Sequence, residues 1–187
     1  NTGISDIVMD PNNSRVLFAG AWQLKLKTWI RVSGGPGSGV FKSIDGGLSW
    51  NKLKDNGLPK KDVGKIALAM TPASPDRLYA LIETGDGIPY NGKETESGEL
   101  WRSEDNGKTF KLINSNRELG SRQAYYTRTT ASPDNANEVY FISYRFFSSI
   151  DGGVSLENRS QLSSPNWDHH EMWIDPNNGN RMAVAGD

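Results

Sequence analysis

Both histidines of the chain lie in one cluster, Asp168-His169-His170-Glu171, between two carboxylates. Imidazole and carboxylate together are the donor set of zinc and related ions. In an extended strand, however, successive side chains leave opposite faces, so His169 and His170 do not both turn to one ion. A hydrogen-bonded or ligand-contacting role is therefore expected for the pair, with no metal and no cofactor. Glycosidic hydrolysis asks for a different arrangement, two carboxyl groups about 5 to 9.5 Å apart across the bond. Asp86, Glu94, Glu96 and Asp168 are the candidates, and their order along the chain does not set those separations.

Recognition is the third chemistry the side chains offer. Trp22, Trp29, Tyr90, Tyr125, Tyr126 and Tyr144 supply ring faces, and Arg31, Arg117, Arg122 and Arg145 supply planar forks of donors. Rings stack on sugars or apolar side chains, and guanidinium groups hold carboxylates bidentately. Trp22 and Trp29 equally fit a second role, packing a long insertion down onto its neighbour.

Composition narrows the partners. A formal net charge of −1 leaves no surplus of Lys and Arg to neutralise a nucleic acid. Lys25, Lys27 and Arg31 form only a local cluster. Without cysteine there is no disulfide framework, thiolate nucleophile or cysteine-based zinc site. No apolar stretch approaches membrane-spanning length, so no membrane span is expected. The chain starts at Asn1 without a leader-like segment and reads as a mature or excised piece. Asn12-Asn13-Ser14 and Asn158-Arg159-Ser160 fit the glycosylation sequon, which matters only in a eukaryotic secretory host.

Two interleaved repeats must position these residues. Ser43-Ile44-Asp45-Gly46-Gly47-Leu48-Ser49-Trp50 recurs as Ser103-Glu104-Asp105-Asn106-Gly107-Lys108-Thr109-Phe110 and as Ser149-Ile150-Asp151-Gly152-Gly153-Val154-Ser155-Leu156. Glycine permits the positive φ of a tight turn, while the aspartate and hydroxyls accept hydrogen bonds from its amides. Each copy reads as a hairpin tip with an aromatic plug; the third departs from the pattern at Leu156. The second repeat is an apolar run, a proline and another apolar run, with prolines at 11, 72, 133 and 176 separated by 61, 61 and 43 positions. The aspartates at 45, 105 and 151 are 60 and 46 apart, so each unit holds one copy of each motif.

Within the first unit the apolar runs predict strands at 4–9, 15–20, 39–43 and 49–53. Four strands per repeat is the blade of a β-propeller. The expected fold is all-β, a single partial propeller over 1–187. Its antiparallel blades span about 1–61, 62–122 and 123–166, with an incomplete fourth from 167. Three blades and a start fall short of the four or more that close a ring, which leaves sheet faces open. The expected partners therefore include the remaining blades of a parent chain or a self-associating copy.

In this connectivity the Ser-x-Asp-x-Gly turns join strands 3 and 4 and share one face of the disk with the 1–2 turns. The structural set is Ser43, Asp45, Gly47, Trp50, Ser103, Asp105, Gly107, Phe110, Ser149, Asp151 and Gly153. Long insertions, 21–38 and 83–97, fall on the opposite face with the blade connections, and long loops on a rigid scaffold are where binding residues gather. That face holds every recognition candidate named above.

The repeat spacing resembles the Asp-box, or bacterial neuraminidase repeat, of sialidases, sortilin-type receptors and family 74 xyloglucanases. The whole chain is similar to large exported bacterial proteins of sortilin-like or glycosyl-hydrolase-like type, through Trp29, Ser33-Gly34-Gly35-Pro36-Gly37-Ser38-Gly39, Asn116-Arg117-Glu118-Leu119 and Asp168 to Pro176. The resemblance implies an extracellular or periplasmic location. The Arg-Ile-Pro element usual in sialidases is absent, and no motif matches the catalytic aspartates of the xyloglucanases. Two functions follow as expectations: a non-catalytic segment that binds a glycan, peptide or protein on the insertion face, or part of a glycoside hydrolase completed by missing blades.

Overall fold

Apolar runs that end in Asp-Pro-Asn, Thr-Pro-Ala or glycine turns pair as antiparallel strands. The computed structural model describes residues 2–85, 97–120, 122–161 and 168–186. β1 (Thr2–Asp10), β2 (Asn13–Lys27), β3 (Ile30–Ser33), β4 (Gly39–Ser43) and β5 (Asn51–Lys52) form the first sheet, in the order β1-β2-β4-β5 with β3 beside the far end of β2. β6 (Ile66–Thr71), β7 (Ser74–Glu83), β8 (Gly98–Ser103) and β9 (Lys111–Asn114) form the second. β10 (Arg128–Ala131), β11 (Val139–Ile142), β12 (Phe146–Ser149) and β13 (Glu157–Asn158) form the third. β14 (His169–Asp175) and β15 (Asn178–Gly186) begin a fourth. The chain is thus a partial β-propeller.

Two details differ from the expectation. The first insertion is not a loop: β2 runs on past the blade to Lys27 and turns back through β3, pairing Lys27 with Ile30 and Leu24 with Ser33. Alternating Leu-Lys-Leu-Lys opposite Ile-Arg-Val has the period of a strand pair. The outermost strand of the first blade, β5, holds only Asn51 and Lys52 of the expected 49–53.

No blade has a core of its own; the cores lie between blades. Phe18 and Val40 of the first blade, with Val8 and Val16, pack on Ile66, Leu68, Leu78, Ala80 and Ile82 of the second. The alternate residues of the same strands, Ala67, Ala69, Tyr79 and Leu81, pack with Leu100 on Ala131, Val139, Phe141 and Phe147 of the third. Tyr140, Ile142 and Phe146 then meet Met172 and Ile174 of the fourth. The period of two therefore makes residues 66–70 of β6, 78–82 of β7 and the whole of β11 apolar without a break, as strand segments buried on both faces must be. Truncating a wholly buried ring such as Phe18 to alanine costs about 3–5 kcal/mol.

The three Ser-x-Asp-x-Gly turns are built alike. The hydroxyls of Ser43, Ser103 and Ser149 donate to Asp45, Asp105 and Asp151 at 2.7 Å and accept the amides of Gly47, Gly107 and Gly153 at 2.9 Å. The aspartates also accept from the amides and hydroxyls of Ser49, Thr109 and Ser155. Plugs follow the sequence: Phe110 is buried in the core, Trp50 donates back to the Gly47 carbonyl, and Leu156 packs on the second interblade core.

The second and third turns are also fastened to the preceding blade. Lys42 of β4 donates to the Asn106 carbonyl at 2.6 Å, and Arg102, at the same place in β8, donates to the Gly152 carbonyl at 2.8 Å. Gly107 has φ +78°, and a Cβ there would lie 2.6 Å from the Phe18 ring of the preceding blade. Gly107→Ala is therefore expected to cost about 1–3 kcal/mol in a denaturation titration, through both strain and overlap.

Hydrogen bonds, first of all from the following hydroxyls, hold the carboxyls of Asp45, Asp105 and Asp151 down at about 2. A carboxyl depressed on folding adds stability above its unfolded value, near 4, and loses it as pH falls through its folded one. The thermal midpoint should accordingly drop between about pH 4 and pH 2. Replacing all three aspartates by asparagine should flatten that slope.

Candidate functional site

The face opposite those turns begins where the inner strands begin. Asp6 of β1, Lys65 beside β6, Arg128 of β10 and Glu171 of β14 bring one charge from each blade into one electrostatic cluster. A small cavity of about 280 Å³ below them is lined by Asp6, Arg128 and Glu171 with Leu68 and Met70. Arg128 spans the gap: it donates to the Ser5 carbonyl at 3.2 Å and pairs with Glu171 at 3.4 Å. Asp6 accepts the amide of Leu68 at 2.8 Å, and burial raises its pKa against that bond and the Arg128 charge.

Lys65 is the hub of this face. Only 8% exposed, it donates to the carbonyls of Tyr125 and Tyr126 at 3.1 and 2.7 Å and lies 5.5 Å from the Trp22 ring centroid. Glu83, at the end of β7, accepts from the Lys65 amide at 2.7 Å and from the Ser33 hydroxyl at 2.6 Å. Ser33 in turn accepts the Trp22 indole at 2.9 Å. One ammonium and one carboxylate thus tie the β2–β3 hairpin, the second blade and the segment before the third. Burial, the larger cause, and the nearby Arg128 charge bring the Lys65 ammonium down to about 8.

Beyond Lys65 the rings gather. Tyr125 stands edge-on to Tyr126 with centroids 4.9 Å apart, and His170 lies 5.1 and 5.2 Å from the two. His169 turns the other way, toward Phe146 at 6.0 Å, so the two imidazoles do not converge. Burial lowers the His169 pKa and favours its neutral form. Tyr126 is buried, with Asp168 and Arg122 beside its hydroxyl. That burial, with the Asp168 carboxylate beside it, pushes its pKa up to about 12.

The backbone here is strained as well. Arg122, Thr127 and Asp168 have φ of +48°, +48° and +75°, conformations that L residues rarely adopt outside turns. Arg122 takes this conformation in the turn closed by the Tyr125 amide on its carbonyl. Thr127 is fixed by its hydroxyl bond to the Gln123 carbonyl, and Asp168 by its amide bond to Tyr144.

The recognition candidates divide into three groups. Trp22 lies over Lys65, which bonds the backbone of Tyr125 and Tyr126, and the rings of those tyrosines pack with His170, with Asp168 and Arg122 beside Tyr126. Arg117 opens a short 3₁₀ turn, Arg117–Gly120, whose Glu118 pairs with Arg145 at 3.3 Å, next to Tyr144 in the β11–β12 turn. Trp29 and Arg31 stand apart on the β2–β3 hairpin, where Trp29 is 80% exposed. Asp86, Tyr90, Glu94 and Glu96 lie outside the described residues. Trp22 is half-buried and bonded to Ser33, whereas Trp29 is largely exposed.

Lys65, Glu83, Ser33 and Arg128 escaped the sequence reading. The signal was present: a single charge at the end of an unbroken apolar strand, Lys65 before Ile66-Ala67-Leu68-Ala69 and Glu83 after Leu78 to Ile82, is a charge that has to be buried with a partner.

No family model and no curated relative matches the chain. Solved structures do. The xyloglucanase of glycoside hydrolase family 74 from Xanthomonas campestris shares 16% identity over 98% of this chain and 27% of its own, with a TM-score of 0.66. An ancestral family 74 enzyme shares 19% over 93% and 21%, with a TM-score of 0.58. YCF48 bound to D1 peptide shares 14% over 84% and 40%, with a TM-score of 0.53. These likenesses establish the propeller fold, and the chain spans less than half the length of each of these proteins.

Lys65 has a measurable consequence. Its folded pKa of about 8 lies below the free value of 10.5, so between those values the unfolded chain binds more protons and stability rises with pH. Chemical denaturation from pH 7.5 to 9.5 should show a gain on the order of 1–2 kcal/mol that Lys65→Met lacks.

Proposed function

We propose that the chain is a non-catalytic recognition segment of a propeller, binding a glycan or a peptide on the insertion face. The supporting observation is that Lys65 ties the Trp22 ring to the backbone of Tyr125 and Tyr126, whose rings pack with His170, while Trp29 and Tyr144 are exposed elsewhere on the face. Rings with a few fixed polar groups orient a ligand. The carboxylates described on this face are largely committed elsewhere: Glu83 to Ser33 and Lys65, Glu171 to Arg128, Asp6 to the Leu68 amide. YCF48 in its peptide complex offers a fold precedent for a peptide ligand.

The likeness to family 74 enzymes favours one second reading, a share in a glycoside hydrolase whose carboxylate pair is completed by further blades. Further blades also fit the outward face of β1, where Ile4, Ile7 and Met9 are exposed, and that of β14, where Trp173 is exposed. In a large exported protein those faces would be covered by the same chain; alone, a second copy would cover them.

Changing Asp86, Glu94, Glu96 and Asp168 to alanine one at a time should leave xyloglucan turnover by the full-length protein unaltered. A loss of a hundredfold or more in any one of them makes the chain catalytic. Tyr125→Ala should weaken ligand binding tenfold or more, measured by calorimetry on glycan and peptide panels, while the melting temperature stays within a few degrees.

A further inference from the structure

The β2–β3 hairpin carries features the ring cluster does not use. No Asp or Glu occurs from residue 11 to residue 44, and the hairpin holds Lys25, Lys27 and Arg31 in a chain whose net charge is −1. Leu26, Trp29, Ile30 and Val32 are all exposed, by 70%, 80%, 47% and 42%. Cross-strand partners share a face, so Leu26 stands beside Arg31, and Lys25 and Lys27 stand beside Val32 and Ile30 on the other side. Cations and aliphatic groups are thus mixed on both faces.

The edge of β3 is open too. Among the described residues β3 pairs only with β2. In an antiparallel pair half of its amides and carbonyls point away from that partner. Just past its end Gly35 bridges Val63 of the second blade, so the line of the strand already leads onto a backbone that accepts pairing. Between this edge and the second blade lies a cleft of about 760 Å³, walled on one side by Leu26, Trp29, Arg31 and Ser33 and on the other by Asp62 and Thr84.

We infer that the β2–β3 hairpin binds an extended acidic peptide, which adds as a strand to the free edge of β3 within this cleft. The inference rests on the recognition reading and names its ligand. Main-chain pairing gives such a contact its affinity, and alternate side chains give it specificity. Carboxylates of the added strand meet Lys25 and Lys27 on one side or Arg31 on the other, and its apolar residues cover Ile30 and Val32 or Leu26. Asp62 on the far wall repels acids and keeps them on the hairpin side. A neutral glycan would use neither the cations nor the open edge. A bilayer would meet the tip and leave the lateral edge and its cleft unused.

The test uses the whole chain and an octapeptide alternating glutamate and valine, with its ends blocked, measured by fluorescence anisotropy at low and high salt. Binding is expected, weakened tenfold or more by Trp29→Ala and by the double variant Lys27→Glu, Arg31→Glu, with the fold checked by circular dichroism. It should weaken as salt screens the charges. N-methylation of every peptide bond should abolish it, since the strand contact needs whichever amides face β3. Equal binding of the N-methylated peptide, or of a lysine-valine octapeptide, overturns the inference. So does the absence of binding at millimolar peptide; if a xyloglucan oligosaccharide still binds and Tyr125→Ala releases it, the recognition reading survives without this one. Retention on phosphatidylglycerol vesicles that Trp29→Ala releases, with no peptide binding, would assign the hairpin to a membrane surface and also overturn it.

Discussion

A blade of this protein has apolar residues on both faces and no interior of its own, so its stability is borrowed from the blades beside it. Phe18 is wholly buried only because Ile66 and Leu78 stand opposite, and Tyr79 only because Val139 and Phe141 do. At about 25 cal/mol per Å² of apolar surface removed from water, such contacts outweigh any single polar bond in the sheet. The arrangement is quasi-one-dimensional: each blade answers to its two neighbours. Register follows, because slipping any strand by one residue would exchange the sets facing those neighbours.

Polar contacts then set where blades may differ. On one face the Ser-x-Asp-x-Gly turns repeat the same bonds, and the second and third are pinned to the preceding blade through Lys42 and Arg102. Such a face leaves little freedom for variation. The opposite face carries no shared device, and each blade brings something of its own to it: a hairpin from the first, Lys65 and Glu83 from the second, a ring pair before the third, a histidine pair in the fourth. Lys65 illustrates the cost. A buried ammonium is desolvated, and the carbonyls of Tyr125 and Tyr126, the Trp22 ring and the charges of Glu83, Asp6 and Glu171 offset that in part. The same contacts hold strained Arg122 and Thr127 on either side of the tyrosines.

Architecture was legible because it is written locally. Proline and glycine spacing marks the turns, and the period of two marks which residues are inside. The site was legible only by face. Topology assigns Trp22, Tyr125 and His170 to one side of the disk, yet their linkage through Lys65 and the tyrosine rings depends on the curvature of the arc, which no local pattern encodes. The hairpin was misread for a related reason: Leu24 to Val32 alternates cleanly, but the alternation of an exposed ribbon has no buried face to announce it.

The open faces bear on the site as directly as on the fold. Ile4, Ile7 and Met9 occupy on β1 the place that Ile66 and Leu68 occupy on β6; the former are more than half exposed and the latter buried. Trp173 repeats this on β14, half exposed where its neighbours Met172 and Ile174 are covered. The charge cluster around Arg128 draws on the same two strands, since Asp6 belongs to β1 and Glu171 to β14, so a neighbour on those faces would also border it. Covering them would withdraw Glu171, now the most exposed member, from solvent and strengthen its pairing with Arg128 as the local dielectric falls. The chemistry of that cluster is consequently tied to the neighbours of the first and last blades, while the hairpin, anchored wholly within the first and second, is complete as it stands.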